Sequence, residues 1–299
     1  MAAPQPQPGF VNAHTHTFQR ALRGAEAGGD FWAWREAMLA LAEAQTPASV
    51  RAGYAQTYGE MRRAGYTAVG EFHYLGFDEA LAAAEAAEEA GIRLVLLQVA
   101  YGRGGLARFR QHSPAAYVEQ VEELRSRGLA VGLAPHSVRA CPRDWLEEIG
   151  RYAEAERLVL HVHAGEQPRE LEQCLAEYGL RPVELLAEAG CLGPRTTVVH
   201  ATHADAHELD LLAEAGARIC VCPTTEADLG DGFLPTPAIL ERGIRLCIGS
   251  DANVVLDPER ELEELEWIAR RQALRRGVFS RDELVRIGRD EGFAALGLA

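Results

Sequence analysis

Short apolar runs with a β-strand pattern recur along the chain, and a longer amphipathic stretch follows most of them. The eight runs lie at 9–14, 67–74, 93–101, 129–137, 157–164, 196–202, 218–224 and 245–251. Helical periodicity marks the stretches at 49–64, 78–90, 114–127, 143–155, 168–178 and 204–215. Strands that alternate with helices in this way are parallel and are joined by right-handed crossovers.

Glycines mark the predicted helix ends, because glycine is the usual residue just after a helix C-terminus. They are Gly65, Gly91, Gly128, Gly216 and Gly243. Eight strand–helix units in a chain of 299 residues match an α/β fold of the closed (β/α)₈ TIM-type. An open Rossmann-like sheet would need a glycine-rich turn after the first strand, where the chain instead reads NAHTHTFQR. We predict a tail at 1–8 and a barrel at 9–299.

Chemically active side chains stand at the C-terminal ends of nearly all the runs. They are His14, His16, His73, Tyr74, His136, His163, His200 and Asp251. Active sites of such barrels lie on the face formed by the C-terminal ends of the strands. We therefore expect these side chains to converge on one site, whereas His112 and His207 fall outside the pattern and receive no role.

The His14-Thr15-His16 sequence predicts a metal site. Residues two apart in a strand point to the same side, so the two imidazoles converge in a chelating geometry that suits zinc. Further candidate ligands end the fifth, sixth and eighth runs, and the pattern alone leaves the choice between His161 and His163 open. For proton transfer, His200 is a candidate acceptor from water and Glu166 a candidate donor to the leaving group.

Composition narrows the chemistry. All 30 basic residues are arginine. The absence of lysine excludes a Schiff base, a Walker-type phosphate loop and a carbamylated lysine that bridges two metals. A formal net charge of −14 argues against nucleic acid and anionic membranes as partners.

The cysteines and the N-terminus predict a cytoplasmic protein. The six cysteines lack metal-type or secreted-type spacing, so we expect free thiols in a reducing compartment. The opening segment MAAPQPQPGF has no apolar core of a signal peptide, and no apolar run is long enough to span a bilayer.

Together these residues resemble the amidohydrolase superfamily, over essentially 9–298, and within it the branch of deaminases that hold one metal. The resemblance implies one divalent ion on His14, His16, His163 and Asp251, with His161 deeper in the barrel. We expect zinc, with iron(II) and manganese as alternatives. It also implies that His200 contacts the water and that Glu166, in His-Ala-Gly-Glu, carries a proton, with Asp251 assisting.

A narrower resemblance connects the chain with the N-formimidoyl-L-glutamate deiminases of histidine degradation. It rests on the segments NAHTHTFQRALRG, FWAWRE, EFHYL, HVHAGEQPRE, VHATH and CPTTEADLGDGF. The implied reaction converts N-formimidoyl-L-glutamate and water to N-formyl-L-glutamate and ammonia. The implied substrate-binding residues are Gln19, Arg35, Tyr74, His136 and Arg139.

The two arginines suit such a small dicarboxylate substrate, because a guanidinium group can bind a carboxylate through two hydrogen bonds. Trp32 and Trp34 are expected to pack at the barrel mouth. The segment 223–233 is expected to be a loop that closes over the substrate.

The chain departs from this family in one respect. Relatives carry a small β-sandwich built from both chain ends, for which we expect no room here. Its loss would expose an apolar flank of the barrel and favour a homodimer or a partner subunit. Two other functions stay open: another one-metal deaminase, acting on a guanine-like or cytosine-like ring, and a metal-binding barrel without turnover.

Overall fold

One parallel sheet organises the chain. The computed structural model describes residues 9–24 and 29–298, so the predicted tail at 1–8 lies outside the described residues. Eight strands pair in sequence order. They are β1 (Phe10–Thr15), β2 (Tyr66–His73), β3 (Arg93–Ala100), β4 (Val131–Pro135), β5 (Leu160–Ala164), β6 (Thr196–His200), β7 (Arg218–Val221) and β8 (Arg245–Ile248).

The sheet closes on itself between its first and last strands. A parallel bridge joins Thr15 of β1 to Asp251, just after β8. The backbone N–H of Asp251 donates to the carbonyl oxygen of His14 at 3.1 Å, and that of His16 donates to Asp251 at 2.9 Å. The predicted (β/α)₈ barrel is confirmed, and its closure brings the β1 histidines beside the residues that follow β8.

Helices surround the barrel. They are α1 (Phe31–Glu43), α2 (Pro47–Arg63), α3 (Phe77–Ala90), α4 (Pro114–Ser126), α5 (Arg143–Glu156), α6 (Pro168–Tyr178), α7 (Pro182–Glu188), α8 (Ala206–Ala215), α9 (Pro223–Leu229), α10 (Thr236–Glu241), α11 (Pro258–Ala273), α12 (Arg281–Gly288) and α13 (Asp290–Ala295). The six helices predicted from periodicity all begin and end within two residues of the observed ones. Gly91 and Gly216 end α3 and α8 in the left-handed conformation that only glycine adopts without strain.

Small side chains help to fill the barrel interior. Ala13, Cys220, Cys247 and Ala295 belong to one buried cluster. Nε2 of His161 lies 2.9 Å from the carbonyl oxygen of Ala295 on α13, so this histidine belongs to the barrel floor, as expected. All six cysteines are buried free thiols. Among the described residues, none of the helices has the length and apolarity needed to cross a membrane.

Candidate active site

Four predicted metal ligands meet at the C-terminal face of the barrel. His14 and His16 come from β1, His163 from β5 and Asp251 from the turn after β8. Nε2 of His163 lies 3.1 Å from Nε2 of His14 and 3.4 Å from Nε2 of His16. Oδ1 of Asp251 lies 3.5 Å and 3.3 Å from the same two nitrogens.

This arrangement matches the donor set of a divalent cation. Ligand atoms about 2.0–2.1 Å from a tetrahedral zinc lie roughly 3.4 Å from one another, which is close to the observed spacing. Nδ1 of His16 donates to the carbonyl oxygen of Phe72 at 3.2 Å, and Nδ1 of His163 donates to that of His136 at 3.0 Å. Both hydrogens therefore lie on Nδ1, and the Nε2 lone pairs face each other, which is repulsive unless a cation lies between them.

The protonation of these ligands also suits a cation. Burial lowers the pKa of His16 to about 3 and that of His163 well below its ordinary value. For Asp251, burial raises the pKa, but its contacts with His14 and His16 outweigh burial and hold the pKa below its ordinary value. Neutral imidazoles and an ionised carboxylate are the forms that bind metals.

Asn253 holds the aspartate in place, and the sequence interpretation missed it. Asp251 and Asn253 both have left-handed backbones, with φ of 42° and 61°. The Asn253 side-chain amide donates to the carbonyl oxygens of His16 and Asp251, each at 3.0 Å. Its oxygen accepts from the Thr15 hydroxyl at 2.8 Å. The sequence signal that could have found Asn253 is its position two residues after Asp251, a predicted ligand.

His200 and Glu166 lie beside the metal ligands. Nε2 of His200 is 3.7 Å from Oε1 of Glu166 and 3.9 Å from Oδ2 of Asp251. Its Nδ1 is 3.2 Å from Oε1 of Glu226, a residue that the sequence interpretation gave no role. Burial opposes protonation of His200, but the Glu166, Glu226 and Asp251 carboxylates outweigh it and raise its pKa to about 10. A divalent cation bound to Asp251 would lower this pKa, since it cancels the aspartate charge and repels imidazolium.

A pocket with a cavity volume of about 200 Å³ leads from the cluster to solvent. All five predicted substrate-binding residues line it: Gln19, Arg35, Tyr74, His136 and Arg139. The Gln19 amide donates to the Tyr74 hydroxyl at 3.1 Å. Trp32 and Trp34 also line the pocket.

Arginines supply the cationic groups of the pocket. Nη2 of Arg139 lies 3.3 Å from Oε2 of Glu166, and its buried Nε has no hydrogen-bond partner among the described residues. Arg35 has one weak contact, 3.6 Å to the exposed Glu36. Arg103, which the sequence interpretation missed, is already paired with Glu177, at 2.6 Å. Among the described arginines of the pocket, Arg35 is therefore the least engaged, and Arg139, although it contacts Glu166, keeps one N–H without an acceptor.

The amidohydrolase family model matches residues 7–297, nearly the whole chain. The chain belongs to the amidohydrolase family. Formimidoylglutamate deiminase from Pseudomonas aeruginosa is 38% identical over 97% of this chain and 70% of its own length. The expected resemblance to that family is confirmed.

Solved amidohydrolase structures agree. An amidohydrolase from Brucella melitensis superposes with a TM-score of 0.90 at 33% identity and covers 97% of this chain and 72% of its own. An adenosine deaminase from Xanthomonas campestris with bound zinc gives 0.88 at 26% identity, over 97% and 67% of the two chains. These similarities make the chain a metal-dependent hydrolase that acts on C–N bonds.

Two expectations about this amidohydrolase site are wrong. His73 lies outside the pocket, with Nε2 2.9 Å from the carbonyl oxygen of Gly76. The preceding Phe72 packs against His163, with ring centroids 4.5 Å apart, and successive strand residues point to opposite sides. The segment 223–233 is largely helix α9, buried over its first turn, and not a free loop.

Proposed function

We propose that this amidohydrolase hydrolyses N-formimidoyl-L-glutamate to N-formyl-L-glutamate and ammonia. The observation that carries the proposal is the pair of guanidinium groups, from Arg35 and Arg139, in the pocket that leads to the histidine–aspartate cluster. A chain of net charge −14 needs local cations to hold a dianion. The buried Nε of Arg139, which lacks a partner among the described residues, gains one when a carboxylate binds. The name of the Pseudomonas relative supports the same substrate.

Zinc is the proposed metal, on His14, His16, His163 and Asp251. Three imidazoles and one carboxylate form a donor set that suits zinc and leaves room for water. When bound there, the ion would lower the pKa of a water molecule and so make a nucleophile available at neutral pH. The zinc in the Xanthomonas relative supports this metal, and iron(II) and manganese are tested beside it.

The proposed chemistry uses two proton-transfer residues. Nε2 of His200 takes a proton from the water, whose oxygen then bonds to the formimidoyl carbon. Glu166 delivers a proton to the imino nitrogen, which becomes the amino group of a tetrahedral adduct. The hydroxyl group of the adduct then gives up its proton, and a second proton passes through Glu166 to the amino group. The C–N bond breaks, ammonia leaves and the formyl group forms. Burial raises the pKa of Glu166, which favours the protonated form that such a donor needs near neutral pH. Asp251 assists by orienting the water.

The proposed substrate contacts follow from the pocket. Arg35 and Arg139 bind the two carboxylates, and Gln19, Tyr74 and His136 position the amidine between them. His136 stays neutral because burial lowers its pKa well below the ordinary value. A neutral imidazole beside the cluster contacts the substrate without repelling the bound cation.

A second candidate function is the deamination of an aromatic ring such as guanine, cytosine or adenosine. Five aromatic side chains of the pocket favour it, because a planar ring can stack on them. They are Phe31, Trp32, Trp34, Tyr74 and Tyr101. The adenosine deaminase among the relatives supports this alternative.

Ammonia release separates these functions. The zinc-loaded protein is incubated with N-formimidoyl-L-glutamate, N-formimidoyl-L-aspartate, guanine, cytosine and adenosine, and bound metal is measured in the same samples. The proposal expects the highest kcat/KM with N-formimidoyl-L-glutamate. Preference for a ring supports the second candidate. If the metal-loaded protein releases no ammonia from any of the five compounds, the proposal is wrong. That result would favour a metal-binding barrel without turnover.

A further inference from the structure

Glu226 is a buried carboxylate that the chemistry proposed above does not use. It lies on α9, directly after β7, and is 2% exposed. Its Oε1 accepts the backbone N–H of Cys222 at 2.9 Å, at the start of its own helix. The backbone carbonyl of Glu226 accepts the N–H of Asp231 at 2.9 Å. The carboxylate is thus held in a fixed position by the chain that surrounds it.

The same Oε1 atom contacts His200. It lies 3.2 Å from Nδ1 of that imidazole, which is completely buried at the end of β6. His200 has a left-handed backbone with φ of 74°, a strained conformation for a residue with a side chain. The backbone conformation of His200 and its hydrogen bond to Glu226 together hold the imidazole ring in one orientation.

The contact also decides which ring nitrogen carries the hydrogen. Oε1 of Glu226 already accepts the Cys222 N–H and accepts a second hydrogen bond from the ring, so Nδ1 of His200 is the nitrogen that carries the hydrogen. In the neutral ring this leaves the lone pair on Nε2, which has no hydrogen-bond partner among residues 9–24 and 29–298. Oδ2 of Asp251, 3.9 Å from Nε2, favours the opposite tautomer because it accepts a hydrogen from that side, and so does Glu166, at 3.7 Å, after it has given up its proton.

We propose that Glu226 is a positioning residue, which keeps the hydrogen of His200 on Nδ1 and so leaves Nε2 free to accept a proton from water. The inference rests on the proposed role of His200. Without Glu226, the two carboxylates on the other side of the ring draw the hydrogen to Nε2, and the ring can no longer accept it there. In serine proteases, exchanging such a carboxylate for an amide lowers kcat about 10⁴-fold, because the wrong ring tautomer results. At Glu226 the Cys222 N–H donates to the same Oε1 that faces His200, so an amide at this position is held with its oxygen, and not its NH₂ group, towards the ring.

The test compares two substitutions at this position. Glu226→Gln keeps an oxygen that can accept from both His200 and Cys222, since both bonds use the same atom. Glu226→Leu removes that acceptor. We expect kcat to fall at least about 100-fold in Glu226→Leu, with KM and bound metal nearly unchanged, and to stay within about 10-fold of the parent in Glu226→Gln. Equal losses in both variants, or a Glu226→Leu kcat within about threefold of the parent, would overturn the inference.

A second measurement does not depend on turnover. The nitrogen chemical shifts of the His200 ring, recorded in ¹⁵N-labelled protein with zinc bound, report which nitrogen carries the hydrogen. We expect the hydrogen on Nδ1 in the parent and in Glu226→Gln, and on Nε2 in Glu226→Leu. A hydrogen that stays on Nδ1 in Glu226→Leu contradicts the proposal. If Glu226→Leu does not fold, the parent protein still tests the proposal. A His200 hydrogen on Nε2 in the parent would contradict it.

Two controls separate positioning from general damage. Glu266→Leu removes another buried carboxylate, which accepts the backbone N–H of Phe279 at 2.8 Å far from the site, and should lower stability but not kcat. In a His200→Ala background, Glu226→Leu should lower kcat no further. A further loss of the same size would overturn the proposal. All variants are compared on whichever substrate the parent hydrolyses, so failure of the proposed substrate leaves this test intact.

Discussion

Nη2 of Arg139 lies 3.3 Å from Oε2 of Glu166, so the proposed carboxylate-binding residue contacts the proposed proton donor directly. Glu170 lies on the other side of the guanidinium group, with Oε1 3.8 Å from Nε, and its other oxygen accepts the backbone N–H of Glu166 at 3.1 Å. A substrate carboxylate that binds Arg139 must therefore compete with Glu166 for the same guanidinium group. The proposed function therefore couples substrate binding to proton transfer through this arginine.

This coupling predicts different kinetic effects for the two pocket arginines. Arg35 has no ion pair with Glu166, so Arg35→Gln should raise KM for N-formimidoyl-L-glutamate about 10- to 100-fold and change kcat little. Arg139→Gln should raise KM similarly and also change kcat, because Glu166 loses its partner. Steady-state kinetics check this. Identical changes in KM and kcat for both variants would contradict the coupling.

Metal binding and proton transfer should be separable by substitution. Glu166→Gln leaves all four proposed metal ligands in place, so it should bind one ion per chain and lose about 10²- to 10⁴-fold in kcat. His163→Ala removes a ligand and should lose both metal and turnover. Metal content is measured by atomic emission on the same samples as ammonia release. Loss of the metal in Glu166→Gln would show that Glu166 belongs to the metal site.

The barrel and the ligand cluster were predictable because they rest on local patterns. Strand and helix periods alternate eight times, and this order leaves a closed parallel barrel as the natural arrangement. His14 and His16 share one side of a strand by spacing alone. The carboxyl ends of parallel strands share one face, which brings His163 and Asp251 to the same place.

The contacts around His200 and Arg139 could not be predicted in the same way. Glu226 reaches His200 across 26 residues, and Arg103 reaches Glu177 across 74. Both contacts depend on how helices are placed against the barrel, which no local period records. His73 shows the opposite case, since its place at a strand end suggested a functional role. Side chains alternate along the strand and Phe72 faces the site, so His73 points away from the site.

Metal should stabilise the folded chain. The facing Nε2 lone pairs of His16 and His163 repel each other without a cation, and a ligand at 100 times its dissociation constant adds about 2.7 kcal/mol to the free energy of unfolding. Zinc should therefore raise Tm of the chelator-treated protein by on the order of 5 °C. Differential scanning fluorimetry checks this, with His163→Ala as the control that should not respond. An equal response in that variant would place the stabilising zinc elsewhere.

Glu261 should make the fold less stable as pH rises towards 8. The side chain is fully buried on α11 and accepts hydrogen bonds from the Thr224 backbone N–H at 3.0 Å and hydroxyl at 2.5 Å. Burial raises its pKa from 4.5 to about 8. Between these values the unfolded chain loses this proton and the folded chain keeps it, so the free energy of unfolding falls with rising pH. Glu261→Gln cannot ionise and should flatten this decline between pH 5 and 8. Urea unfolding at several pH values measures the slope.

Glu283→Gln is the control: Ser280 lowers the pKa of that carboxyl, so the slope in this window should not change. An unchanged slope in Glu261→Gln would mean that Glu261 is already ionised in the folded protein.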